Sequence, residues 1–223
     1  MARFLVAIAR AMFLALTCTS ALAGGPMSDY PLHVAAANDN VADIEKLLAE
    51  GAHIDARDAS GSTALLVATR GNNVRSAKAL IDAGANVNKK DDINDSAYLY
   101  AGARGHLDIL NMTLTHGADL QSTNRYGGTA LIPAAERGHV ETVQTLINAG
   151  VNIDHVNNLG WTALLEAIIL GRGGEQHQQI VSILLAAGAN PNIADRDGVT
   201  PLQHARSHGY REIEAALLAA GAK

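Results

Sequence analysis

Aromatic residues are scarce in this chain, 4% of 223 with Trp161 the one tryptophan, so its core has to be assembled from small and aliphatic side chains. Cysteine is scarcer still. The single one, Cys18, falls near the start, and its absence from residues 24–223 excludes disulfides, thiolate metal sites and cysteine nucleophiles there. A cysteine-free chain also suits an oxidising compartment. Basic residues are the minority charge. Of the 17 Lys and Arg, Arg3 and Arg10 lie in the first segment; the remaining 15 face 22 Asp and Glu, a formal charge of -7. General affinity for nucleic acid needs the opposite sign, so no nucleic-acid partner is expected. Nucleophile elbows, phosphate-binding Gly loops and zinc-protease motifs are also missing.

The first 25 residues, MARFLVAIARAMFLALTCTSALAGG, carry Arg3 and Arg10, an apolar stretch through Leu16, and the small-residue site Ala21-Leu22-Ala23. They read as a secretory signal peptide, residues 1–23, cut after Ala23. Arg10 leaves the run short of the ~18 to 20 uninterrupted apolar residues that a membrane span needs, so no stable membrane insertion is expected after cleavage. Ala15, Leu16 and Thr17 lack the pattern that would make Cys18 a lipid-attachment site. The expected location is the periplasm, with secretion as the alternative. Residues 24–27 form a short linker.

What fills the rest is a repeat. A Gly closes each helical stretch at Gly51, Gly84, Gly117, Gly150, Gly188 and Gly221, and a second series, Tyr30, Thr63, Ser96, Thr129, Thr162 and Thr200, opens one. Both series advance by 33 residues, with one interval of 38. Each opening segment, such as TALIPAAERGH from Thr129, begins with a residue able to cap backbone N–H groups and ends near a Gly. The following segment, such as ETVQTLINAG from Glu141, sets Val143, Leu146 and Ile147 at helical spacing. Between units come Asx- and Gly-rich turns such as Asp195-Arg196-Asp197-Gly198. One unit cannot bury its own apolar face, so neighbours must stack into a solenoid. The fold expected is all-α, six helix-turn-helix repeats with short hairpin tips, at about residues 28–58, 59–91, 92–124, 125–157, 158–195 and 196–223.

The chain resembles the ankyrin-repeat family through YPLHVAAANDN from Tyr30, STALLVATRGNN from Ser62 and TPLQHARSHGY from Thr200, each followed by a Leu-Leu or Leu-Ile pair and Gly-Ala. It departs from that pattern in places. Only His33 keeps the family's histidine, with Leu66, Leu99, Ile132, Leu165 and Gln203 at the matching positions. The third repeat has Asn94 for the usual Gly, Tyr98 and Tyr100 among small residues, and Thr113 at a leucine position, which makes it the expected weak link. Pro133 removes a donor early in its helix, at modest cost. Five extra residues around Arg172-Gly173-Gly174-Glu175-Gln176 are expected between the helices of repeat five.

Because the repeats leave no block for an appended catalytic domain, no enzyme, cofactor or metal site is expected. The nine histidines mostly follow the repeat register: His106, His139 and His177 share one slot, His33 caps, and His53, His116 and His155 fall in or near turns. His204 and His208, with Glu166, form the competing possibility of a metal- or small-molecule-binding protein. Asp91-Asp92-Ile93-Asn94-Asp95 reads as an Asx-rich tip, lacking the Gly and distal Glu of a calcium loop.

The resemblance implies a concave protein-binding surface built from tips and the exposed sides of first helices. It places there Arg125, Tyr126, Glu136 and Arg137 in repeat four and Leu159, Trp161, Glu166, Ile169 and Leu170 in repeat five, with Arg70 and Arg104 earlier. Tyr126 and Trp161 are the expected anchors, since large aromatics and Arg dominate binding hot spots, with a half-buried Trp161 packing on the next tip as the alternative. The function so implied is a noncatalytic interaction scaffold or adaptor in the cell envelope, monomeric, with one protein partner. An accessory or inhibitory factor for a periplasmic enzyme, in stress protection, is the alternative.

Overall fold

The computed structural model describes residues 30–223, so the leader and linker expected over 1–27 lie outside the described residues. Those described form only helices and turns. In chain order the helices are α1 (Pro31–Ala37), α2 (Val41–Ala49), α3 (Ala64–Arg70), α4 (Val74–Asp82), α5 (Ala97–Arg104), α6 (Leu107–Thr115), α7 (Leu131–Glu136), α8 (Val140–Asn148), α9 (Ala163–Ile169), α10 (Glu175–Ala186), α11 (Pro201–His208) and α12 (Arg211–Ala219). Each odd-numbered helix packs on the next odd-numbered one, and the even-numbered helices do the same in a second row. The result is the expected solenoid of six helix pairs.

Hydroxyl caps start four of the first-row helices. Thr63, Ser96 and Thr162 each accept the backbone N–H three residues on at 3.2 Å, and Thr200 does so from Gln203, whose side chain reaches back to the Thr200 N–H at 2.9 Å. Thr129 departs from the cap expected of it. The helix behind it begins late, at Leu131, the Ile132 N–H turns instead to the Thr129 carbonyl, and the buried Thr129 hydroxyl has no hydrogen-bond partner among the described residues.

The first-row helices approach closely because small residues line them. Ala64, Ala68, Ala97, Ala101, Ala130, Ala134, Ala163 and Ala167 are all essentially buried. At Gly102 a Cβ would stand 2.8 Å from the Cβ of Ala130, so the α5–α7 contact depends on its absence. Repeat three, despite its odd composition, is fully packed: Tyr98 and Thr113 are buried, and the Thr113 hydroxyl donates to the Leu110 carbonyl at 2.7 Å. Asn94 takes the left-handed backbone, φ 64°, that Gly61, Gly127, Gly160 and Gly198 take in the other tips.

A ladder of side chains between the rows ties repeats two, three, five and six each to the one before. Asn73 donates to the Ala36 carbonyl, His106 Nδ1 to Thr69, His177 Nε2 to Glu136, and the Tyr210 hydroxyl to Gly171, at 2.8 to 3.2 Å. These bonds satisfy carbonyls at first-row helix ends, which otherwise lack partners. At His106 and His177 the histidine slot seen in the sequence is therefore a joint between repeats.

The insertion in repeat five is divided. Three of its residues lengthen α10 to 12 residues, where the five other second-row helices have nine, and the other two widen the turn before it. That turn is held down: Gln178 Nε2 donates to the Gly173 carbonyl at 2.9 Å, and the Tyr210 ring fills the space where a Cβ on Gly173 would stand.

Candidate functional site

Each tip is built on one Asx residue. The Oδ1 atoms of Asp58, Asp91, Asn124, Asn157 and Asp195 each accept the backbone N–H groups two and four residues on, at 2.8 to 3.1 Å. This is why an Asx is needed there: a short side-chain oxygen replaces a backbone carbonyl in closing the turn. Successive tips also bond directly, Asp92 N–H to the Ser60 carbonyl and Asn158 N–H to that of Tyr126 at 2.8 Å. The residues following each Asx are thereby fixed in a row beside the first-row helices.

The second oxygen or amide of the tip Asx reaches back to the helices. Asp91 pairs with Arg70, whose guanidinium also donates to Ser62 Oγ. Asn157 Nδ2 donates to Glu166 Oε1 at 2.8 Å, and His204 Nε2 donates to Asp195 Oδ2 at 2.8 Å. His33 Nε2 donates to the Ser62 carbonyl at 2.9 Å.

Arg125 and Tyr126 are half-buried on the fourth tip, with the Arg125 guanidinium 4.9 Å from the centre of the Tyr126 ring. Arg70 and Arg104 lie 5.8 and 5.5 Å from the centre of the Tyr100 ring. Glu136 and Arg137 are half-buried at the end of α7, where Arg137 donates to the Ala103 carbonyl. Trp161 is 7% exposed and packs with Leu165 and Ile169, while Leu159 and Leu170 flank that cluster, half-buried. This small apolar cluster stands apart from the main core, and the Trp161 ring offers little area to a partner.

Glu166 is 4% exposed, and burial, followed by the neighbouring charge of Glu136, pushes its carboxyl up to about 8 against the pull of the Asn157 bond and Arg137. Burial raises Glu136 and Asp95 as well, and it lowers Arg137. Asp95 feels Arg125, Arg70 and Arg137, and Glu136 feels Arg137 and Arg104, so these groups form one electrostatic neighbourhood across repeats two to five.

Of the residues considered for a metal, Glu166 is held by Asn157, His204 by Asp195, and His208 donates to the His204 carbonyl at 2.8 Å. Among the described residues no three His, Cys, Asp or Glu side chains are grouped to hold a metal ion, and no helix is long and apolar enough to cross a membrane.

Tyr100 and Asn157 were not singled out from the sequence as site residues, although both carry signals. Tyr100 occupies the register of Glu166 and His204, four residues past the opening hydroxyl, and Asn157 precedes Glu166 by the same nine positions that separate Asp195 from His204.

A family model described as ankyrin repeats (3 copies) matches residues 9–91 and 97–195. An ankyrin repeat domain from Acinetobacter baumannii AYE, known from a crystal structure, is 72% identical, with TM-score 0.86 over 87% of this chain and 100% of that one. EF0377, an ankyrin repeat protein, is 42% identical with TM-score 0.81, covering 84% of this chain and 96% of its own. YahD of Escherichia coli (strain K12), a protein named for its ankyrin repeats, is 51% identical over 57 residues, 26% of this chain. The match spans 28% of that relative's length.

Proposed function

The chain belongs to the ankyrin-repeat family, and from that premise we propose that it is a noncatalytic protein-interaction scaffold that works in the cell envelope. Repeats of this family are in general protein–protein interaction modules. The observation that carries the reading here is the pairing of arginine with tyrosine on the tip face: Arg70 and Arg104 on Tyr100, and Arg125 on Tyr126. In a chain with so few aromatics, two of five tyrosines are held half-exposed by cations on one face. Rigid aromatic rings and guanidinium groups supply contact area at small entropic cost, which is what interface hot spots use. Tyr126 and Tyr100 are the anchors in this account, and the Trp161 cluster stiffens the neighbouring tip.

Export rests on the leader and the cysteine-free remainder. Fractionation with N-terminal sequencing of the mature protein tests it: a periplasmic product beginning at Gly24 is expected, and a cytoplasmic product that keeps Met1 or Ala2 would overturn it. For the interaction itself, the variant Tyr100→Ala/Tyr126→Ala should lose partner capture in a pull-down from envelope extract while keeping its helical circular dichroism. Equal capture by variant and wild type would overturn the placement.

A further inference from the structure

Around Arg104 and Arg125 the bases lie outward of most of the acids, and the exposed acid of the third tip, Asp92, is taken by Arg57. Arg104 is exposed and Arg125 half-buried, and among the described residues neither is in an ion pair. Of the acids nearby, Asp91 is 5% exposed and taken by Arg70, and Glu166 is 4% exposed and taken by Asn157. Glu136 and Asp95 are half-buried, and the Glu136 Oε2 atom is sealed from solvent. Burial raises the carboxyls of Glu166, Glu136 and Asp95, that of Glu166 to about 8, so the negative charge of Glu166 is weakened at neutral pH. Arg137 is half-buried against the Ala103 carbonyl. The two cations that an incoming chain meets first are therefore Arg104 and Arg125.

Each guanidinium lies over a tyrosine ring, Arg104 at 5.5 Å and Arg125 at 4.9 Å from its centre, and keeps N–H donors for a two-point bond to a carboxylate. The tyrosines limit the rotamer freedom lost when such a bond forms. Arg104 sits at the end of α5 and Arg125 on the tip of the following repeat, so one ligand must reach across two repeats to use both.

Building on the interaction function above, we propose that this face receives an acidic, extended protein segment, with one partner carboxylate on the Arg104–Tyr100 pair and another on the Arg125–Tyr126 pair. The whole chain carries a formal charge of -5, so its bulk charge opposes such a partner and only the local arrangement attracts it. At about 0.15 M salt the screening length is about 8 Å, and distant charges then contribute little.

The probes are two fluorescein-labelled dodecapeptides, alternating Glu–Gly and alternating Lys–Gly, titrated with the leader-cleaved protein, residues 24–223, by anisotropy at 0.15 M NaCl. The acidic probe should bind at least about tenfold more tightly than the basic one, and Arg104→Gln/Arg125→Gln should erase that preference. Arg172→Gln/Arg211→Gln, which removes equal charge elsewhere, should retain it. No binding of the acidic probe, no preference, or a preference that survives in the Arg104/Arg125 variant would overturn the proposal. The pull-down with the tyrosine variant separates this from the broader function: a partner captured through Tyr100 and Tyr126 by a segment without acidic residues defeats the acidic assignment and leaves the interaction face intact.

Discussion

The side-chain amide of Asn157 donates to Glu166 Oε1 at 2.8 Å, tying the fifth tip to the helix behind it. The same Asn157 closes that tip through its Oδ1, which accepts the N–H groups of Leu159 and Trp161. One residue thus couples the shape of the tip to a buried carboxyl, and the coupling has a measurable dependence on pH.

Glu166 has its folded-state carboxyl raised to about 8 from 4.5. Across that window the folded chain keeps a proton that the unfolded chain releases, so the stability contributed by the neutral form is complete below about 4.5 and is lost as pH rises through about 8. Glu136 and Asp95, also raised by burial, act in the same direction. Glu166→Gln keeps an acceptor for Asn157 and cannot ionise. Urea midpoints at pH 5, 7 and 9 should fall less in this variant than in wild type, with the variant the more stable at pH 9; parallel profiles would reject the account.

The caps separate two threonines that look alike in sequence. Thr162 caps α9 through its hydroxyl, whereas the Thr129 hydroxyl is buried without a partner among the described residues. Thr162→Val should cost about 1 kcal/mol. Thr129→Val should change stability by less than about 0.5 kcal/mol or raise it, because it removes an unsatisfied polar group of nearly the same shape. Equal losses from denaturant titration would show that both hydroxyls cap.

Among the described residues Tyr98 is the largest fully buried side chain, and its hydroxyl also lacks a hydrogen-bond partner there. Burial raises its ionisation well beyond the ordinary tyrosine range. Tyr98→Phe should therefore stabilise the chain by about 1 kcal/mol, read as a higher urea midpoint at unchanged slope. A lower midpoint would mean that the hydroxyl is satisfied.

The solenoid was legible because two independent residue series share the 33-residue period, and a period that long has few structural solutions. The histidine slot was legible as a register, and only the coordinates reveal the carbonyls that it satisfies in the preceding repeat. Thr129 shows a limit: its hydroxyl has the same spacing as Thr162, but the late start of α7, with Pro133 inside it, changes where the Ile132 N–H goes. Trp161 shows another. It stands four residues past the tip Asx, where Ser62 and Gly128 are buried and Asp95 is half-buried, so the register itself points inward, while composition alone suggests an exposed anchor. Of the arginine–tyrosine pairs, Arg104 follows Tyr100 by four residues on α5 and Arg125 adjoins Tyr126, spacings visible in the sequence, whereas Arg70 reaches Tyr100 from the preceding repeat, which no single-repeat pattern displays.

The central claim is that the tip face of repeats three and four meets a protein partner. A photoreactive amino acid at position 126, compared with one at Glu45 on α2 in the opposite row, measures it in living cells of the native host. The account predicts one discrete adduct from position 126 that disappears in the Arg104→Gln/Arg125→Gln background, and none from position 45. Adducts of equal yield from both positions, or none from position 126, would contradict it.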